Sequence, residues 1–496
     1  MKIKHILCAF ACSALASVAI AQQRPAEGGM SLNPATLTEA QITGTQVPQA
    51  LYRLAAFYKE GGDYERLAWT LQRLTALLPN VGDLRLGLAT TYAMQGEKTK
   101  AYDILLSMQK QGYAYDLADN PNFKKVADTK VWTYIVDNLE AGLKPFGEGK
   151  VAFSLPKGDT LLESLVFDPK RQQFLVGSVR DGTISIVDKN GKLTDLIKPD
   201  AQNGLWSVYA MAADPTSDAL YVASTSSVFF KGFAQADYGK AGVFKFKLSS
   251  GKLEAKYLLA PDAHVPEQTL SSIAVGKNGL VFAADGLRNV IYKLDGGGLK
   301  PMVENPRLTS LRGMAVSDDG KKLYFADYAL GIFGVDLAAG SGFDLQYDTA
   351  KLVLGGIDGL YWYDGTLVAI ESGMSPQRVI RVTLSADGKK VARAMTLDAA
   401  NPAFELPTYG AIDGDGLYFI ANSQKNQYDS YGSPKDAAKL KPVHVFRSNL
   451  RFAWDQGVGV PPATTPSAHP AALNTFKPGA GVFGNVEGGS ESVTGN

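Results

Sequence analysis

Apolar positions between residues 48 and 115 recur at steps of three and four, and the pattern repeats after 34 residues. Leu54, Ala55, Tyr58, Gly62 and Leu71 return as Leu88, Ala89, Tyr92, Gly96 and Leu105. Helical spacing inside a repeat of that length predicts stacked helix pairs, with Gly62 and Gly96 in the turns between antiparallel partners. Two copies leave an apolar end uncovered, so Phe123, Val126, Trp132, Ile135 and Leu139 are expected to supply capping helices. From about Lys150 the texture changes to short runs rich in Val, Ile, Tyr and Phe. Asp-Gly, Asn-Gly and Gly-Lys turns break them every 8 to 12 residues, which predicts antiparallel strands.

One strand–turn–strand unit recurs six times in this region. It begins at Glu163, Tyr209, Ser271, Arg312, Asp358 and Thr408, at intervals of 46, 62, 41, 46 and 50 residues. Units of that length match four-stranded blades that bury their faces against one another. The predicted fold is therefore mainly β with an α-helical N-terminal domain: a six-bladed β-propeller after a short helical array. Val151 to Leu155 precedes the first unit and is expected to close the ring beside Val443 to Phe446, as the outermost strand of the sixth blade. The helical part resembles the tetratricopeptide repeat, with Pro79 where that repeat closes its second helix; a plain helical bundle is the alternative.

Composition narrows the classes of function. The 496 residues are 45% hydrophobic and 20% charged, as in ordinary water-soluble proteins, and 50 basic side chains face 49 acidic ones. That balance supplies no field to gather nucleic acid or an anionic membrane. Lys2 and Lys4 precede an apolar run from Ile6 to Leu15 that ends at Ala19-Ile20-Ala21, the pattern of a secretory signal cut after Ala21. The run is too short to span a bilayer, and Ala9, Phe10 and Ala11 before Cys12 make a poor lipoprotein box. A periplasmic or secreted protein without a membrane anchor is expected. Both cysteines, Cys8 and Cys12, leave with the signal, so the mature chain holds no disulfide and no thiolate metal site. The expected organisation is signal peptide 1–21, linker 22–47, helical domain 48–145, propeller 150–455, and a Gly-, Pro-, Ala-, Thr- and Ser-rich tail 456–496 too poor in apolar residues to fold.

In a propeller the first strand of each blade lines the central channel and the second returns to the same mouth. This places Glu163, Tyr209, Ser271, Arg312, Asp358 and Thr408 in one ring. Thirteen to fifteen residues further on come Ser178, Ser224, Asp285, Asp327, Glu371 and Asn422. Glu163, Tyr209, Arg312, Asp327, Asp358, Glu371 and Asn422 are the expected ligand-binding set, since carboxylates converging on a hollow suit a cation or a polyol. His264 falls near the rim, Trp206 and Tyr409 offer flat faces, and Lys425 to Lys441 form a long sixth-blade insertion with Tyr428 and Tyr431.

At Glu163-Ser164-Leu165-Val166-Phe167-Asp168-Pro169, Arg312-Gly313-Met314-Ala315 and Asp358-Gly359-Leu360 the chain resembles the gluconolactonase, senescence-marker-protein and luciferin-regenerating group of six-bladed propellers. The resemblance covers roughly residues 155 to 450. It implies a calcium or other divalent ion held by Glu163 and Asp358, with Asp358 as the catalytic base of lactone hydrolysis. The family's fourth-blade asparagine is Arg312 here. At ~5 Å and an effective dielectric of ~20, an arginine repels a divalent ion by ~6 kcal/mol, so two other roles compete with the metal reading: Arg312 as a structural bridge between Glu163 and Asp358, or as a clamp for a ligand carboxylate or phosphate.

Two functions follow. The first is an exported binding and docking protein whose channel mouth holds a small polar ligand, such as a lactone or sugar, and whose helical repeats hold a protein or peptide partner. The alternative is a secreted lactone or ester hydrolase of the gluconolactonase-like kind, with Asp358 as base or divalent-metal ligand and Glu163 as metal ligand.

Overall fold

The computed structural model describes residues 33–260 and 267–451; the expected signal peptide, the expected tail and His264 lie outside them. Six helices come first: α1 Glu39–Thr43, α2 Pro48–Glu60, α3 Tyr64–Leu77, α4 Gly82–Gln95, α5 Lys98–Lys110 and α6 Lys130–Ala141. Their ends follow local chemistry. Thr38 and Gln41 form a reciprocal capping box on α1, and the Asp63 and Thr129 side chains accept backbone N–H groups that open α3 and α6. Gly96 ends α4 at φ +86°, where a side chain would be strained. Leu67, Ala68, Leu71 and Leu74 of α3 are buried on one stripe, and Phe123, Val126, Trp132, Ile135 and Leu139 close the far end of the array as buried residues. No helix among the described residues is long and apolar enough to cross a membrane.

The remainder is a six-bladed β-propeller of six four-stranded sheets. Inner strands run at Leu162–Asp168, Ser207–Asp214, Leu270–Val275, Leu311–Val316, Ile357–Tyr363 and Gly410–Asp413. Apolar side chains fill the space between neighbouring blades. Val166 and Leu175 of blade one, for example, share a core with Val208, Met211 and Val222 of blade two. Each such side chain contributes about 1.5–3 kcal/mol by leaving water. The ring closes as the sequence predicts: Lys150–Leu155 pairs antiparallel with Val443–Asn449, Leu155 opposite Val443. Sheet hydrogen bonds thus tie the start of the propeller to its end and remove two exposed strand edges.

The helical array rests on loops of blades four and five. Asn80 N–H donates to the Ala329 carbonyl, and Ala114 N–H to the Ser375 carbonyl. Gln111 donates to the Thr349 carbonyl, while Met108 and Tyr113 share an apolar cluster with Val353 and Met374. These loops belong to the same propeller end as the starts of the inner strands, so the helices stand beside the channel mouth.

Candidate functional site

The inner strands share one irregularity. In blade one the pairing steps from Leu162 opposite Ser178 to Ser164 opposite Gly177, leaving Glu163 as an extra residue. The same bulge isolates Tyr209, Ser271 and Asp358, and in blade four Arg312 and Gly313 together oppose one residue. In blade six Thr408 donates to the Ile420 carbonyl while Ile420 donates back to the Tyr409 carbonyl. Two residues therefore face one, and Tyr409, not Thr408, takes the sixth position. A bulge re-aims the side chain it frees, and repeating it around a ring turns six side chains toward one mouth.

Electrostatics show which of them are neighbours. Burial pushes the Glu163 carboxyl above its usual range, and the Lys425 and Arg312 charges pull it partly back. Lys425 is held below the usual lysine range by burial, with Arg312 pushing the same way and Glu163 and Asp358 opposing. Arg312 Nε stands 3.6 Å from Asp358 Oδ1, and its guanidinium carbon lies 5.7 Å from the Tyr328 ring centre. Asp358 also accepts from the Ser372 hydroxyl. Tyr209 bonds Ser227 at 2.9 Å, and burial drives its phenol up to about 12. Tyr409 senses Arg312, Asp358 and Glu163, and burial raises its phenol. Tyr328 senses Asp83 of α4 as well as Asp358, which brings the helical array to the edge of the site.

Glu163, Tyr209, Arg312 and Asp358 therefore come together as the sequence places them, joined by Tyr409, whose phenol meets Ser272; Ser271 holds the matching bulge in blade three. Asp327, Glu371 and Asn422 turn into their own blades instead, although Glu371 Oε1 has no hydrogen-bond partner there. Asp327 accepts from the N–H groups of Thr309, Ser310, Ala329 and Leu330. Glu371 is fully buried against Arg378, and Asn422 accepts from His444 N–H and donates to the Pro442 carbonyl. Each closes its own blade. Ser178, Ser224 and Asp285, at equivalent places, also bond the backbone of their own loops. Lys425 and Tyr328 complete the site, and sequence spacing missed both. Lys425 follows the end of the sixth blade's second strand by a few residues, a position that returns to the mouth, but the long insertion conceals its direction.

Glu163 retains 9% exposure and its Oε1 has no hydrogen-bond partner. Ser271 Oγ and Arg312 Nε are buried without partners too. Buried polar atoms of this kind are costly unless something satisfies them. The calcium that the family likeness implies does not fit: two carboxylates face two cations, and no group of three or more His, Cys, Asp and Glu side chains converges among the described residues. A separate cleft of about 260 Å³ in the helical array is lined by Glu39, Glu65, Trp69, Gln72, Tyr92 and Lys100 among others.

No family model matches the chain, and no curated protein matches it. Among solved structures it is similar to a gluconolactonase from Xanthomonas campestris, at 14% identity and TM-score 0.39, over 63% of this chain and 93% of that one. It is similar to a luciferin-regenerating enzyme at 18% identity and TM-score 0.39, over 62% and 95%. A virginiamycin B lyase from Staphylococcus aureus aligns at 15% identity and TM-score 0.40, over 61% and 100%.

Proposed function

We propose that the protein binds a small polyhydroxylated carboxylate at the propeller mouth, as a binding protein and not as a metal-dependent lactonase. The observation that carries this is the pair of buried, unpartnered atoms of opposite character, Glu163 Oε1 and Arg312 Nε, on one ring. Arg312 and Lys425 suit an anionic group. Glu163, Ser271, Tyr209 and Tyr409 suit hydroxyls, because a carboxylate accepts and the hydroxyls both donate and accept. Asp358 is poorly placed as a base for lactone opening, since Oδ2 already accepts from Ser372 and Oδ1 faces the Arg312 guanidinium at 3.6 Å. The helical cleft is the second surface of this reading, where three glutamates, Glu39, Glu65 and Glu97, beside Trp69 and Tyr92 suit a basic segment of a partner.

The test is calorimetric titration with gluconate, glucarate, glucose and gluconolactone. The acids should bind, and Arg312→Met should weaken them roughly 10- to 100-fold, the worth of a charge-assisted hydrogen bond. Equal binding of glucose, or no binding by any of the four, overturns the reading. Lactone turnover that stops in chelator supports the hydrolase instead.

A further inference from the structure

We infer that Lys425 is an imine-forming amine, and that the mouth captures a 2-oxo carboxylate covalently through its carbonyl carbon. The inference rests on the ligand site proposed above and narrows its chemistry. Nothing among the described residues holds the Lys425 Nζ in a hydrogen bond or ion pair, although the side chain is only partly exposed and sits within the fields of Glu163, Arg312 and Asp358. These three come from blades one, four and five of the ring, so an amine that senses all of them stands over the channel.

The backbone sets it there under strain. Gln424, just before Lys425, adopts φ +62°, a left-handed conformation unfavourable for a residue with a side chain. Two hydrogen bonds hold it: Gln424 Nε2 to the Lys441 carbonyl at 2.9 Å, and Lys441 N–H to Gln424 Oε1 at 2.6 Å. The next turn, Lys425–Gln427, then starts with Lys425 N–H donating to Ser423 Oγ. Ser423 also lies against the Glu163 carboxyl, so one hydroxyl ties the amine-bearing turn to the acid.

The chemistry balances without an oxidant or reductant. Lys425 gives one ammonium proton to the Glu163 carboxylate, and the freed nitrogen pair attacks the carbonyl carbon while the carbonyl π pair moves to oxygen. That oxygen takes the proton back from Glu163. Glu163 then removes a second proton from nitrogen and delivers it to the same oxygen, which leaves as water as the nitrogen pair closes the C=N bond. The product is a protonated imine, and Glu163 has carried two protons, one at a time, from nitrogen to oxygen. Arg312 neighbours Lys425, so the group it clamps must neighbour the carbonyl in the substrate. That describes a 2-oxo acid and excludes a simple ketone.

The experiment incubates the full chain with pyruvate and cyanoborohydride, then maps the reduced adduct by peptide mass spectrometry. Acetone serves as the ketone without a carboxylate. Label should concentrate on Lys425, exceed the acetone label by roughly 10- to 100-fold, and fall when gluconate is added. Lys425→Arg, which keeps the charge, should lose the label while its melting temperature holds; Glu163→Gln should slow labelling. Label spread over surface lysines, or equal for pyruvate and acetone, overturns the inference. Gluconate binding without Lys425 label defeats the imine alone and leaves the ligand site standing, whereas loss of both defeats both.

Discussion

Arg312 and Asp358 occupy the same bulge position in adjacent blades, and their side chains form an ion pair at 3.6 Å, beyond hydrogen-bonding range. Each retains about a fifth of its side-chain exposure, 21% and 23%, so the pair is open to a ligand along one side. Asp358 partly neutralises the guanidinium that would receive an anion. Asp358→Asn should therefore tighten gluconate binding about fivefold, the size of a partly exposed charge pair. Isothermal titration checks it. A lactonase that used Asp358 as its base would instead lose turnover in this variant.

Asp285 is fully buried, with Oδ2 unpartnered, and burial drives it up to about 6. An acid whose folded value lies above the unfolded ~3.9 favours the folded chain while protonated. That stabilisation is complete below pH ~4 and is lost as pH rises through 6. Asp285→Asn keeps an oxygen for the N–H groups of Leu287 and Arg288 but carries no charge. Relative to this variant the wild type should lose ~2 kcal/mol between pH 4 and pH 7.5. Urea unfolding of both proteins at the two pH values measures it, and parallel stabilities would refute it.

The contrast between Asp285 and Asp358 shows how far the sequence is legible. Blade number, ring closure and five of the six bulge positions follow from the spacing of the repeated unit, because a propeller repeats its hydrogen-bonding plan with its chain length. The sixth position is Tyr409 and not Thr408: the glycine that follows Arg312 and Asp358 follows Tyr409 here, as Gly410. Acidic residues at second-strand ends look alike in sequence whether they meet a ligand or a backbone turn. Asp285 and Asp327 each accept N–H groups two and three residues ahead, so an aspartate placed just before a turn is itself the signal for a structural role. Lys425 was hidden for a different reason: its direction depends on the left-handed Gln424, which no local propensity announces.

Glu371 and Arg378 form a buried ion pair inside blade five. Removing one partner strands the other's charge away from water. Arg378→Met should cost ~3–5 kcal/mol, and adding Glu371→Gln should restore most of it, because a neutral amide tolerates the site better than an unpaired carboxylate. Denaturant midpoints for the two single variants and the double variant test this. Additive losses would contradict it.

Gly355 lets the helical array reach blade five. A Cβ there would come 2.2 Å from Asn80 Cβ and 2.9 Å from the Asn80 carbonyl oxygen, against backbone that cannot swing aside. Gly355→Ala should cost ~1–3 kcal/mol, as overpacking does elsewhere, and the loss should fall on the docking of the helices. Cleavage by protease in the connector 143–149 should quicken in the variant while the closed propeller ring resists. Unchanged cleavage would show that the contact can relax.

Gln424 offers the sharpest separation of strain from bonding. Gln424→Ala keeps the left-handed strain and loses both hydrogen bonds to Lys441; Gln424→Gly loses the same bonds and also the strain. Glycine visits φ +62° at little cost, whereas alanine gives up about 1–2 kcal/mol there. The glycine variant should thus be the more stable of the two, reversing the order seen where glycine replaces alanine in a helix. Both should fall below wild type, since each leaves the Lys441 backbone groups without their partners. Melting curves of the three proteins decide it: alanine equal to or above glycine would mean that the turn before Lys425 has relaxed out of the left-handed region, and with it the placement of the amine over the channel.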